Sequence, residues 1–288
     1  MNDATSRVSI HSALWAQRWG QDLAGYIVKA GSLGYSGVEI SLLGIESSSP
    51  AALAATARDV GVEIKCTTGI SPEHDVSSVD PSIRGAGVAF LRSCADVVAT
   101  LGADLLAGVI YAPWGVFGSP ESRRERLHWA AESLATVAPD YEDRGITLGI
   151  EAINRFETDL VNTASQAVEL ANQIDAPNVG VHLDTFHMNI EERDVYAAVM
   201  VAASRLVHVH VSGSDRGRPV AGRFPWDAFF GALREIDYRK WIGVEMFVQA
   251  EIPVSADLRI WRTIEASPDD AAVEARNFIL EQFAHADQ

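Results

Sequence analysis

Cysteine is nearly absent: the 288 residues hold only two, Cys66 and Cys94. Two thiols are too few for a disulfide framework or a thiolate zinc site. Positive charge is also scarce. Twenty-three Lys and Arg stand against 39 Asp and Glu, a formal net charge of −16. Such a surface opposes binding to nucleic acid and to anionic membranes, so neither is expected as a partner. No apolar run is long enough to span a bilayer, and the longest, near 101–112, is broken by Asp104. Residues 1–7 are polar and lack the apolar core of a signal peptide. A soluble cytoplasmic protein is expected. A Gly-x-Ser-x-Gly elbow, a phosphate-binding Walker loop and a dinucleotide fingerprint are missing too.

What is present is alternation. Apolar residues make up 48% of the chain, which suffices for a large core. Short runs rich in β-branched residues recur at 8–13, 37–41, 62–68, 104–110, 147–151, 179–184, 206–211 and 242–246. They read as buried parallel strands. Helical spacing fills the gaps, most clearly over 84–101 and 121–144, then over 165–174, 191–203 and 225–236. Gly34, Gly61, Gly102 and Gly145 each stand shortly before a strand, as helix C-terminal caps do. Ser267 and Pro268 read as the cap and first residue of a last helix running through Phe283. No linker divides the chain. Eight strand–helix units predict an α/β fold, a (β/α)8 TIM barrel, with 1–288 as a single domain. A doubly wound open sheet would spread the strand ends along a row, which suits the following pattern less well.

Four consecutive strands end in metal-ligand residue types. They are Leu148-Gly149-Ile150-Glu151, Val181-His182-Leu183-Asp184, Val207-His208-Val209-His210 and Ile242-Gly243-Val244-Glu245. A closed parallel barrel brings all its strand C-termini to one face. Glu151, Asp184, His210 and Glu245 would then form a mostly oxygen-donor site for Mn²⁺, Mg²⁺ or Co²⁺ rather than structural zinc. His182 and His208 lie two residues before a ligand candidate, on the same side of the strand and one layer deeper. They read as core or orienting groups. His187, in the loop after Asp184, and Arg216, flanked by Gly217, should rim the pocket. Two carboxylates on either side of a metal suggest proton traffic at a carbon next to a carbonyl. Return of the proton to the opposite face gives epimerisation. Its return to the adjacent carbon gives aldose–ketose isomerisation, and the residues alone leave both open.

The sequence resembles the ketose 3-epimerases, the D-tagatose and D-psicose 3-epimerase family within the xylose-isomerase-like barrels. The resemblance rests on Asn154-Arg155-Phe156-Glu157-Thr158 with Asn162-Thr163-Ala164, and on Leu183-Asp184-Thr185-Phe186-His187-Met188-Asn189-Ile190-Glu191-Glu192. His208-Val209-His210, Pro225-Trp226, Gly243-Val244-Glu245 and Trp261-Arg262 extend it over nearly the whole chain. It implies a manganese-type site at Glu151, Asp184, His210 and Glu245. It also implies Glu151 and Glu245 as the acid/base pair acting on C3 of a free ketose through an enediolate. Glu157, His187 and Arg216 would hold O1 and O2 of the sugar. A homo-oligomer, dimer or tetramer, is a further implication.

The chain departs from that pattern where Gly213 replaces a usual Glu, where Pro219-Val220-Ala221-Gly222 replaces a more glycine-rich turn, and where Met246 replaces a frequent Pro. These positions bear on substrate identity. An apurinic-site endonuclease on the same fold would need more His ligands and a basic face, which the −16 charge opposes. A non-catalytic sugar-binding barrel would not need both Glu151 and Glu245.

Overall fold

Eight parallel strands close into a ring in the order β1 to β8, each paired with its sequence neighbour and β1 paired with β8. The computed structural model describes residues 7–220 and 224–284. The polar residues 1–6, and Ala221 and Gly222 of the altered turn, lie outside the described residues. The strands are β1 (Val8–His11), β2 (Gly37–Ser41), β3 (Glu63–Ile70), β4 (Leu105–Pro113), β5 (Thr147–Ala152), β6 (Val179–Asp184), β7 (Leu206–Val211) and β8 (Ile242–Val244). Helices cross over between them, as parallel pairing demands, and the (β/α)8 barrel expected from the alternation is what forms. Strand residues are almost all buried, because one side faces the barrel interior and the other the helix layer.

Local chemistry sets the ends. The helices Pro50–Val60 and Pro81–Leu101 stop at Gly61 and Gly102, both at φ 72°. Only glycine adopts that left-handed conformation without Cβ strain. Ser267 Oγ accepts from the Asp270 amide at 3.2 Å, so the cap expected for the last helix, Pro268–Ala284, is in place. At the closed end of the barrel the buried Lys65 ammonium meets Asp104 at 2.6 Å and Glu63 at 3.0 Å, and lies over the Trp241 ring.

Three expected boundaries move. The first strand ends at His11, and Ser12–Leu14 turns as a 3-10 helix instead of extending it. The helix expected over 191–203 is two helices, Thr185–Glu191 and Val195–Ala202. Asp184 Oδ1 accepts from the Phe186 amide at 2.6 Å, which coils the chain directly after β6, and Asp194 recaps the second helix through the Ala197 amide at 3.0 Å. β8 stops at Val244, so Glu245 and Met246 sit just past its end.

Candidate metal centre and active site

At the C-terminal ends of β5, β6, β7 and β8 the four expected ligand residues come together. One ligand atom each from Glu151, Asp184, His210 and Glu245 lies within 4.8 Å of the others. Glu151 and His210 are the penultimate residues of β5 and β7, Asp184 ends β6, and Glu245 follows β8 with its amide bonded to the Val211 carbonyl at 3.2 Å.

His210 is held from behind. His210 Nε2 lies 2.6 Å from Glu39 Oε2, on β2, three strands further round the ring. His210 Nδ1 is buried, has no hydrogen-bond partner, and faces Glu245 Oε1 at 3.6 Å and Asp184 Oδ2 at 3.9 Å. An imidazole held at one nitrogen by a carboxylate and free at the other is oriented as a metal ligand is. The second oxygen of Glu39 takes His208 Nε2 at 3.1 Å and the Ser9 hydroxyl at 2.5 Å. Gly243 makes room for this carboxylate: a Cβ there would stand 2.0 Å from Glu39 Oε1. His182 and His208 lie below, with the His182 ring 4.8 Å from His208 and 4.2 Å from His210, and neither lines the cavity.

Charge accounts for the donor set. Three carboxylates are crowded with Arg216 and His210 in a place almost without solvent. Burial, then the Glu245 charge, pushes the Glu151 carboxyl well above the carboxylate range. Burial also raises Asp184, against the Arg216 charge, to about 6. Glu245 goes the other way: burial would raise it, but His210 and Arg216 hold it well below the usual value. Burial opposes charge on His210, yet the Glu39 and Glu245 carboxylates raise its pKa well above the ordinary imidazole value. Buried carboxylates so close together need a compensating cation. The orphaned His210 nitrogen and the oxygen-rich set therefore fit a divalent ion.

A cavity of about 670 Å³ opens above the cluster, and Glu157, His187 and Arg216 line it with Glu151, His210 and Glu245. Arg216 sits in a tight loop at φ 68°; its amide donates to Gly213 O at 3.0 Å, and the Gly213 amide donates to Gly217 O at 2.7 Å. A Cβ at Gly213 would stand 2.9 Å from the Arg218 carbonyl, so the glycine that departs from the family pattern is required by this loop. The guanidinium Nη1 bonds Asp184 Oδ2 at 2.9 Å and Glu245 Oε2 at 2.8 Å. His187 Nδ1 accepts from the Asn154 amide at 3.1 Å, and Asn154 Nδ2 lies 2.8 Å away. Burial, then the Arg216 charge, holds the pKa of this ring well below the ordinary imidazole value, and its Nε2 lies 3.2 Å from Arg216 Nη2 and 3.8 Å from Glu151 Oε1. Glu157 accepts from Asn154 Nδ2 and from Trp114 Nε1, both at 2.8 Å.

The seven residues singled out in the sequence thus share one cavity or its floor. Sequence reasoning missed Glu39, Trp114, and any role for Asn154 and His11. Glu39 had a signal, a lone charge in the middle of the apolar run Gly37-Val38-Glu39-Ile40. Asn154 stood in a quoted motif without a task.

A closed parallel barrel with three carboxylates and one imidazole converging at the strand C-termini defines a class, the (β/α)8 barrels built around a candidate cation site. The family described as xylose isomerase-like TIM barrel matches residues 27–281. The chain is 34% identical over 276 residues to L-ribulose 3-epimerase of Methylomonas sp. (strain DH-1), covering 95% of this chain and 96% of that protein. It is 33% identical over 274 residues to D-psicose 3-epimerase of Agrobacterium fabrum (strain C58 / ATCC 33970), covering 93% of this chain and 95% of that one. Among solved structures, D-psicose 3-epimerase with D-tagatose from Clostridium cellulolyticum H10 superposes with a TM-score of 0.90 at 33% identity, over 95% of this chain and 98% of that one. The chain belongs to the xylose isomerase-like TIM barrel family, on the branch of the ketose 3-epimerases.

Proposed function

We propose that this protein is a metal-dependent epimerase that inverts C3 of a free ketose. The observation that carries the reading is the convergence of Glu151 and Glu245 with Asp184 and His210 beneath a sugar-sized cavity. The names of the relatives support it. Glu151, Asp184, His210 and Glu245 hold the cation, for which manganese is the proposal and magnesium or cobalt the alternatives. Bound there, a divalent ion acidifies the C–H next to a carbonyl.

The chain's own groups supply the rest. In the metal-free site burial and neighbouring charge push Glu151 and Glu245 in opposite directions. Two carboxylates with affinities pushed apart serve as an acid and a base. One of the pair removes the C3 proton and the other delivers one to the opposite face, with the roles exchanged in the reverse direction. His187 lines the cavity beside Glu151 and Arg216 and contacts the sugar there. Arg216 and Glu157 hold the O1 and O2 end.

The proposal extends to a soluble cytoplasmic setting, one domain over 1–288 and a homo-oligomer, dimer or tetramer. No helix among the described residues is long and apolar enough to cross a membrane, and Cys66 and Cys94 are unpaired. Phe117, Phe156 and Trp261 are exposed large side chains beside the mouth, a surface suited to a second copy. The net charge argues against nucleic acid as a partner. The deciding experiment incubates the metal-loaded protein with a panel of ketoses in D₂O and follows the products by nuclear magnetic resonance. A C3-inverted ketose labelled at C3 is the expected result. Aldose as the sole product, with no C3 label in recovered ketose, would make it an isomerase.

A further inference from the structure

The cavity has two unlike sides. Glu151, His187, His210, Arg216 and Glu245, from the β5–β8 half, crowd one side with charge. The opposite side comes from β1–β4 and the segments after them, with His11, Ser41, Thr67, Thr68 and Ser71 among its polar groups; the Ser71 hydroxyl is bonded to His74 Nδ1 at 3.0 Å. Among the described lining residues of that half there is no Lys or Arg. A ketose whose reacting carbons face the carboxylates must turn its remaining carbons toward this uncharged wall.

Hydrogen bonding on the wall leaves the Thr67 hydroxyl proton uncommitted. The Ala13 amide donates to His11 Nδ1 at 3.3 Å. That nitrogen therefore carries no proton, and the neutral ring carries its proton on Nε2. Nε2 lies 2.9 Å from Thr67 Oγ1, so His11 donates and the Thr67 oxygen accepts. The Thr67 proton then has no acceptor among the described residues, while the residue lines the cavity and is buried. Of its neighbours, Thr68 Oγ1 donates to Gly69 O at 3.0 Å, and Ser41 Oγ accepts from the Leu43 amide at 3.2 Å with its own proton also without an acceptor among the described residues, but only Thr67 is held by another side chain of the wall, His11. A buried hydroxyl whose proton lacks an acceptor is unfavourable until a ligand supplies one. The His11 ring is itself fixed edge-on against Trp19 and His210, at centroid distances of 6.5 and 6.2 Å.

Building on the 3-epimerase reading, we propose that Thr67, positioned by His11, is the specificity determinant that donates a hydrogen bond to a hydroxyl oxygen of the sugar beyond C3. The wall selects a neutral polyol end.

The test compares Thr67→Val, Thr67→Ser and His11→Phe with the parent, all metal-loaded, on a ketohexose and its 4-deoxy, 5-deoxy and 6-deoxy analogues. Loss of one donated hydrogen bond should lower kcat/KM of Thr67→Val on the full sugar about tenfold. Against one deoxy analogue the penalty should vanish, because the bond is already missing. Thr67→Ser, which keeps the hydroxyl, should restore activity on the full sugar. His11→Phe should show the same substrate-selective loss, weaker than that of Thr67→Val, with metal content unchanged. A penalty equal on all four sugars, or no penalty at all, would overturn the assignment. Parent protein that inverts no ketose would instead overturn the epimerase reading. Quenching of the cavity tryptophans by the same sugars then tests the hydroxyl contact by binding alone, and equal affinity of parent and Thr67→Val across the series would refute it.

Discussion

Glu39 fixes His210 from across the barrel: its Oε2 stands 2.6 Å from His210 Nε2 and leaves Nδ1 bare toward Asp184 and Glu245. Glu39 itself is fully buried, and although burial would raise its pKa, His208 and His210 hold its carboxyl well below the ordinary range. An ionised carboxylate behind a metal-facing imidazole both orients the ring and raises its basicity.

Glu39→Gln should therefore weaken manganese binding about 10- to 100-fold while the barrel still folds. Metal titration followed by circular dichroism on the same samples checks both halves. Gly243→Ala should reproduce the loss with a lower melting temperature, because its Cβ would displace the Glu39 carboxylate. Unchanged affinity in Glu39→Gln would mean that His210 needs no support from behind.

Proton competition sets the pH dependence of loading. An ordinary aspartate titrates near 3.8, and burial, opposed by Arg216, raises Asp184 to about 6 in the metal-free site. The folded metal-free protein thus holds a proton between those values that the unfolded chain has lost. Its stability contribution declines as pH rises through that window. Metal must displace this proton. Apparent affinity should be flat above about 6 in respect of this group and fall about tenfold per unit below it. Isothermal titration from pH 5 to 8 reads the slope directly, and a flat profile would show that Asp184 is ionised before loading.

Chelation should abolish epimerisation and added Mn²⁺ should restore it, with a rise in melting temperature, since only the folded barrel assembles all four donors. Glu151→Gln and Glu245→Gln should each cut turnover by orders of magnitude. Each removes a proton carrier and a ligand charge together, so metal content is measured alongside. A metal-replete Glu245→Gln that turns over like the parent would rule out the two-carboxylate mechanism.

The strand–helix alternation was open to reading because a parallel strand buried on both faces leaves a short β-branched run, and the intervening helices carry their own spacing. Glu151, Asp184 and His210 followed from strand ends sharing one face, which needs topology and no distances. Glu245 stands beside the other three although its strand is shorter than expected. Glu39 stayed hidden for a physical reason. Its partner is 171 residues away and meets it only across the barrel, so nothing along β2 tells whether a mid-strand carboxylate is exposed or paired. His11 and Trp114 join the pocket from β1 and the turn after β4, where no ligand-type strand end pointed to them. The division of the helix expected over 191–203 turned on Asp184 serving at once as candidate ligand and helix cap, two roles that one position does not announce.

Arg216 gives the last prediction, because its place in the metal-free site is double. Its guanidinium bonds Asp184 and Glu245 and lies over the Phe186 ring, 4.0 Å from the centroid. It therefore neutralises two carboxylates that a cation would otherwise hold. Arg216→Ala should lower the melting temperature of the metal-free protein more than that of the metal-loaded protein, since only the former loses its compensating charge. In the loaded enzyme the same change removes one charged hydrogen bond to the sugar, worth about 1.5–3 kcal/mol, or roughly 10- to 150-fold in kcat/KM. Paired melting curves with and without Mn²⁺, together with kinetics at measured metal content, separate the two effects. Equal destabilisation in both forms would assign Arg216 a packing role, and unaltered kcat/KM would remove it from the sugar.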